Sequence, residues 1–255
     1  MGKNKLKKFA EMETFHNVFQ CGAREMVEGN PVAAMRGKWH EEYFHNSNPI
    51  VLELGCGRGE YTVGLAARYP NKNYIGIDIK GARMWAGAKQ AELAGMQNVA
   101  FLRTNIELLT HFFAPNEVAE IWITFPDPQM KKATKRLTST YFMLRYAQLL
   151  QPNGLIHLKT DSPFLYTYTQ AMVKENNYPL LVDTDDLYAA QATADIDEAR
   201  SLQTHYEHQW LDRGLTIKYL RWELSHCDNL IEPDIDIEKD TYRSYGRNYV
   251  SSTNN

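Results

Sequence analysis

Cysteine is scarce in this chain, with three among 255 residues. Cys21, Cys56 and Cys227 are odd in number and widely spaced. That excludes a disulfide framework and a cysteine-based zinc site, and it fits a reducing compartment. Long apolar runs are absent too. None approaches the roughly 18 residues of a membrane helix. The opening stretch, MGKNKLKKFAEMETFHNVFQ, is basic but lacks the apolar segment of a signal peptide. The expectation is a cytoplasmic protein with no membrane partner and no metal. No internal repeat is visible, no obligate protein partner is evident, and a monomer or homodimer is expected.

An excess of positive charge is also missing. The formal net charge is −3, whereas nucleic-acid-binding domains are commonly basic. The distribution matters more than the sum. Lys3, Lys5, Lys7 and Lys8 form one basic cluster. Lys131, Lys132, Lys135, Arg136 and Arg145 form another, with no acid between Asp127 and Asp161. Acids gather elsewhere, at 183–186, 194–198 and 232–240. Segregation of this kind lets one face hold a phosphate backbone while the total stays negative.

What is present is an alternation of strand and helix patterns. Apolar runs at 49–54, 73–78, 99–105, 118–125 and 154–161 read as strands, and 215–224 as a late one. Helical patterns lie between and after them at 60–69, 80–95, 137–150 and 163–176. Alternation of this kind predicts an α/β fold, a doubly wound and mostly parallel sheet with helices on both faces. The division expected is an N-terminal extension with a basic segment and helices (1–48), a Rossmann-like domain (49–225) and a C-terminal tail (226–255). The acidic stretch 183–200 reads as a mobile surface loop, and residues beyond about Asp228 as irregular.

Glu53-Leu54-Gly55-Cys56-Gly57-Arg58-Gly59-Glu60 sits where the first strand pattern meets the first helix pattern. Glycines at alternate positions permit a tight turn and a close backbone approach to a ligand. A dinucleotide site wants glycine at the sixth place of this motif. Here that place is Glu60, whose carboxylate at a helix opening repels a pyrophosphate. The pattern suits a cationic nucleoside without phosphate, and S-adenosylmethionine fits that description. It resembles the first motif of class I methyltransferases. Asp78 ends the second strand pattern, where a carboxylate can accept from ribose hydroxyls. Asn105 follows the third, where that resemblance implies an adenine contact, and its carbonyl oxygen can meet the exocyclic amine.

The segment Thr124-Phe125-Pro126-Asp127-Pro128 ends the fourth strand pattern. Each proline biases the residue before it toward extended geometry, so Phe125 and Asp127 are expected to leave the strand stretched and stiff. Carboxyl ends of strands are where open α/β sheets bind ligands. Together with Lys131, the run from Lys135 to Thr138, Asp161 and Thr204-His205-Tyr206-Glu207, this segment resembles the bacterial tRNA (guanine-N7)-methyltransferase family, from about Lys7 to Glu223.

The resemblance implies a Rossmann-like class I methyltransferase. It would transfer a methyl group from S-adenosylmethionine to N7 of a guanosine, at position 46 in the variable loop of tRNA. It implies cofactor contacts from Glu53, Gly55, Gly57, Gly59, Asp78, Asn105 and Asp127, with Asp127 also catalytic. It implies substrate contacts from Lys131, Asp161, Thr204 and Glu207, and phosphate contacts from Lys132, Lys135 and Arg136. Two positions depart from the family pattern: Gln129-Met130 replace a common aromatic, and Asn105 replaces a usual aspartate. Two other readings differ in class. One is a class I methyltransferase for a small molecule, a protein side chain or another RNA; the basic 131–136 loop and the proline-flanked Asp127 speak against a small substrate, which needs no phosphate anchor. The other is a non-catalytic binding subunit, which has no use for an intact Glu53, glycine loop, Asp78 and Asp127.

Overall fold

The computed structural model describes residues 2–26 and 29–241, without the side chains of residues 2–4. The remainder of the expected tail, 242–255, and the Lys3 side chain of the first basic cluster lie outside the described residues.

An eight-stranded sheet runs through the molecule. Its strands are β1 (Val18–Gln20), β2 (Ile50–Leu54), β3 (Asn73–Asp78), β4 (Val99–Arg103), β5 (Val118–Thr124), β6 (Leu150–Thr160), β7 (Leu180–Thr184) and β8 (Lys218–Leu224), in the spatial order β1-β4-β3-β2-β5-β6-β8-β7. Only β8 runs antiparallel to its neighbours β6 and β7. The parallel core explains the uninterrupted apolar runs, because a strand covered on both faces has no solvent side. Thus Ile50, Leu52 and Leu54 enter one core cluster and Val51 the other. The sheet order reverses at β2, which pairs with β3 on one side and β5 on the other. A crevice forms at the carboxyl ends of strands at such a switch point.

Helices α1 (Gly2–Met12), α2 (Glu60–Arg68), α3 (Gly81–Leu93), α4 (Thr140–Tyr146), α5 (Pro163–Glu175), α6 (Ala194–Arg200) and α7 (His205–Leu211) surround the sheet. The N-terminal segment is tied into this frame. Glu11 of α1 accepts from Trp85 Nε1 at 2.8 Å and pairs with Lys89 at 2.6 Å, both on α3. Val18–Gln20 adds a strand beside β4, and Trp39 and Phe44 are buried in the core.

Two expectations are corrected, and strand β1 is an element the sequence pattern does not show. The stretch 183–200 is no simple loop. Its first residues close edge strand β7, and Thr193 caps α6, accepting from the Ile196 N–H. Ile196 and Ala199 are buried against the sheet. Acidic side chains on the outer face of α6 hid this apolar side. Strand β1, at three residues, is too short to show a period. Phe125, expected to be extended before Pro126, has φ +48°. Its N–H continues the β5–β6 ladder by donating to the Lys159 carbonyl at 2.8 Å, and the chain turns sharply there.

The tail has no regular secondary structure through Thr241, as expected, yet it is anchored. Glu232 accepts from Thr140 Oγ1 at 2.6 Å and from the Tyr168 hydroxyl. Asp240 accepts from the Ser162 hydroxyl and, at 3.1 Å, from the Phe164 N–H at the start of α5.

Candidate active site

A cleft of about 510 Å³ opens at the switch point, lined by residues that include Glu53, Gly55, Gly57, Glu60, Asp78, Thr124, Asp127 and Thr204. Its floor is built by β2 and β5. Glu53, at 5% exposure, accepts from the Thr62 N–H at 2.9 Å, from the Thr62 hydroxyl and from Thr124 Oγ1 at 2.7 Å. One carboxylate thereby joins β2, α2 and β5. Burial pushes its carboxyl up to about 7, against the lowering effect of the threonine hydrogen bonds. Thr124 escaped the sequence reading, because a lone threonine at a strand end carries no signal of its own.

The glycine loop divides its labour. Gly55 and Gly57 have φ of +78° and +56°, and a Cβ on Gly55 would stand in open space. A side chain there would fill the cleft. Gly59 does different work: its Cβ would lie 2.6 Å from the Phe101 ring and 3.2 Å from Gly87. It lets α2 close on β4 and α3. Asp78 accepts from the Gly57 N–H at 3.0 Å and from the Lys80 N–H at 2.8 Å, fixing the loop from the end of β3. Asn105 lines an adjoining cavity of about 220 Å³ that shares Asp78, Ile79 and Lys135 with the main cleft.

These residues fit a cationic nucleoside cofactor. Carboxylates of Glu53, Asp78 and Asp127 meet the cleft, and Glu60 adds a fourth while accepting from the His205 N–H at 2.9 Å. The basic lining residues Arg58, Lys80, Arg83 and Lys135 are exposed at the rim. An acidic floor disfavours a pyrophosphate and favours a cation, while a basic rim suits phosphates further out.

Asp127 is exposed at the mouth and accepts from the Gln129 N–H at 3.0 Å, closing a tight turn. The loop that follows is held by Arg136, which donates to the carbonyls of Gln129 and Met130, each at 3.2 Å. Its guanidinium lies over the rings of Tyr168 and Phe164, at 4.3 and 4.8 Å. Arg136 is thus folded inward and buried, not offered to phosphate. Stacking on two aromatics and capping two carbonyls satisfy it better than solvent. Lys135 pairs with Glu107 at 2.9 Å at the exposed rim. Lys131 and Lys132 are exposed.

Two further expected substrate residues lie inside. Asp161 is buried just past β6 and engaged within the protein. Glu207 is wholly buried, with Lys159 at 2.8 Å and the Tyr188 hydroxyl at 2.7 Å on one oxygen. The other oxygen accepts from the Thr204 N–H at 3.3 Å, while Thr204 Oγ1 accepts from the Glu207 N–H. Thr204-x-x-Glu207 is therefore a capping box that starts α7. The Thr-x-x-Glu spacing is itself the sequence signal of such a box. Thr204 lines the cleft; Glu207 does not.

Residues 47–220 match a family model described as "Putative methyltransferase". The chain is 59% identical over 247 residues to the tRNA (guanine-N(7)-)-methyltransferase of Bacteroides fragilis, covering 97% of this chain and 96% of the relative. It is 60% identical over 237 residues to the enzyme of the same name from Porphyromonas gingivalis, covering 92% and 96%. Among solved structures, the 16S rRNA methyltransferase KamB aligns with TM-score 0.55 at 16% identity, covering 73% of this chain and 92% of that one. The sheet order, with its antiparallel β8 beside β6, is that of a Rossmann-like class I methyltransferase. With near-complete coverage in both directions, the chain belongs to the tRNA (guanine-N(7)-)-methyltransferase family.

Proposed function

We propose that this enzyme transfers a methyl group from S-adenosylmethionine to N7 of a guanosine in tRNA, at position 46 of the variable loop. The observation that carries the reading is the position of Asp127. It lines the cleft formed by the glycine loop and Asp78, and it begins the loop that bears Lys131 and Lys132. Identity of about 60% to enzymes of that name supports the substrate.

S-adenosylmethionine supplies an electrophilic methyl group when bound. Gly55, Gly57, Asp78, Asn105 and Glu53 would hold it, with Asp127 at its reactive side and Gly59 shaping the loop from behind. Guanine N7 has an exposed lone pair, so no proton must leave before it attacks and no strong general base is required. Among the described residues, no histidine lines the cleft. The base becomes cationic as it accepts the methyl group. The Asp127 carboxylate stabilises that growing charge, and its turn with Gln129 fixes where it stands. Lys131, Lys132 and Lys135 hold phosphates, which position tRNA without choosing the base. Thr204 borders the base, while Asp161 and Glu207 act from inside the fold by setting the walls. Functionally we divide the chain into a basic N-terminal segment (1–48), the methyltransferase unit (49–225) and the tail (226–255), and place its work in the cytoplasm.

The deciding experiment is incubation with labelled S-adenosylmethionine and tRNA lacking the modification, followed by nucleoside analysis. Labelled 7-methylguanosine mapped to position 46 is the expected product. Label in another nucleoside, or none, would overturn the reading.

A further inference from the structure

Next to the cofactor cleft lies a second cavity, of about 610 Å³. Its lining comes from two separate parts of the chain: Asp127, Gln129, Met130 and Lys131 from the loop after β5, and Lys239, Asp240 and Thr241 from the tail. Asp127 and Gln129 belong to both cavities. The Asp127 carboxylate therefore borders both the cofactor cleft and a second space. That volume falls within the roughly 300–1,000 Å³ of small-ligand sites.

The tail is fixed there by specific bonds. Asp240 has both carboxylate oxygens in use, one on the Ser162 hydroxyl and one on the Phe164 N–H. Its own N–H donates to Met130 Sδ at 3.2 Å, so the tail touches the loop directly. Eight residues earlier, Glu232 is bound by Thr140 and Tyr168, and Tyr168 also carries the Arg136 guanidinium that holds the loop. Tail, α5 and loop thus share one set of contacts. Asp240 is buried and turned toward Ser162 and Phe164, and the exposed charged side chains that line the cavity are Asp127, Lys131 and Lys239.

We propose that this cavity receives the sugar-phosphate backbone at the target nucleotide, whose base reaches past Asp127 into the cleft, and that Lys239 is a substrate-binding residue which, with Lys131, grips a phosphate flanking the base. The inference rests on the function proposed above. The arrangement answers a chemical need: a base presented to Asp127 must be held by its backbone on the side away from the cofactor. Two exposed lysines from separate segments that line one cavity suit one phosphate, and the tail carries the second of them. Asp240 is the positioning residue that keeps Lys239 in place.

The test uses the full-length protein, unmodified tRNA and a range of salt concentrations. Lys239→Ala is expected to weaken tRNA binding roughly tenfold, as expected for a lost bond to a charged group. It should also flatten the plot of log affinity against log salt by about 0.9, one phosphate's worth. S-adenosylmethionine affinity should stay at the wild-type value, which reports that the fold is intact. Lys239→Arg should restore both tRNA measures. If wild type methylates tRNA but Lys239→Ala matches it in affinity and salt slope, this inference fails alone. If wild type methylates no tRNA, the parent reading fails.

Discussion

Lys159 Nζ lies 2.8 Å from a carboxylate oxygen of Glu207, and neither side chain has any exposed surface. Lys159 comes from β6 and Glu207 from α7, so the pair binds the sheet to a wall of the cleft. The ammonium also donates to the carbonyls of Ala199 and Leu202, at 2.6 and 2.9 Å. Its three donors are therefore all used. Burial lowers the pKa of Lys159 and the charge of Glu207 opposes that. A buried pair is tolerated when its remaining bonds are made, and here they are.

Glu207→Ala should lower stability by about 3–5 kcal/mol, because it strands a buried ammonium. Activity should fall with it. Combining Lys159→Met with Glu207→Gln removes both charges and keeps an acceptor for the capping box. That double variant should regain most of the stability, read as thermal midpoint, and turn over within about tenfold of wild type, a loss of no more than ~1.4 kcal/mol. A stable but inactive double variant would mean that the Glu207 carboxylate contacts the base after all.

Glu53 predicts a pH dependence of the unusual sign. Its folded carboxyl is raised to about 7 from 4.5, so between those values the folded protein binds a proton that the unfolded chain does not. The stability this contributes is present below pH 4.5 and is lost as pH rises through 7, amounting to roughly 3 kcal/mol. Glu53→Gln removes the titration while keeping a side chain that can bond both threonines. Its melting temperature relative to wild type should therefore rise between pH 5 and 8. Parallel profiles would refute the assignment.

Much of this site was legible because its parts obey local rules. Gly55, Gly57 and Asp78 advertise themselves by residue type and by their places at strand ends. Asp127 does so by its two prolines. The inward turn of Arg136 is not legible in the sequence, because charge pattern locates a lysine or arginine along the chain but not which way it turns. Its fate was decided by Tyr168 and Phe164, some thirty residues later in sequence. The inward turn of Glu207 depends on Lys159 in the same way. A tail without regular structure gives no periodicity, so its anchoring through Glu232 and Asp240 shows only in three dimensions.

Asp78 both holds the glycine loop and is the proposed ribose acceptor. Asp78→Ala frees the N–H groups of Gly57 and Lys80 and should weaken S-adenosylmethionine binding by at least about tenfold, the scale of one charge-assisted hydrogen bond. Asp78→Asn keeps one acceptor oxygen and should lose less. Calorimetric titration separates the two. Equal affinity in Asp78→Ala and wild type would remove Asp78 from the cofactor site.

Asp127 should matter more to rate than to binding. Neutral guanine gains little from a nearby carboxylate, whereas the increasingly cationic transition state gains more. Asp127→Asn retains the acceptor for the Gln129 N–H and so should retain the turn. Single-turnover rates at saturating tRNA and cofactor should fall on the order of 10²-fold, about 3 kcal/mol, with tRNA affinity near wild type. Phe125 supplies a second arm. Its φ of +48° costs a residue with a side chain roughly 1–3 kcal/mol, and the β5–β6 ladder and Pro126 hold it there. Phe125→Gly relieves that strain but loosens the hinge that aims Asp127. Turnover should drop while the carboxylate stays present, because a mispositioned group forfeits much of its effect. Pro126→Ala with Pro128→Ala should act in the same direction. Wild-type rates in Asp127→Asn would reduce the aspartate to a turn former, and wild-type rates in Phe125→Gly would show that the left-handed residue does not aim it.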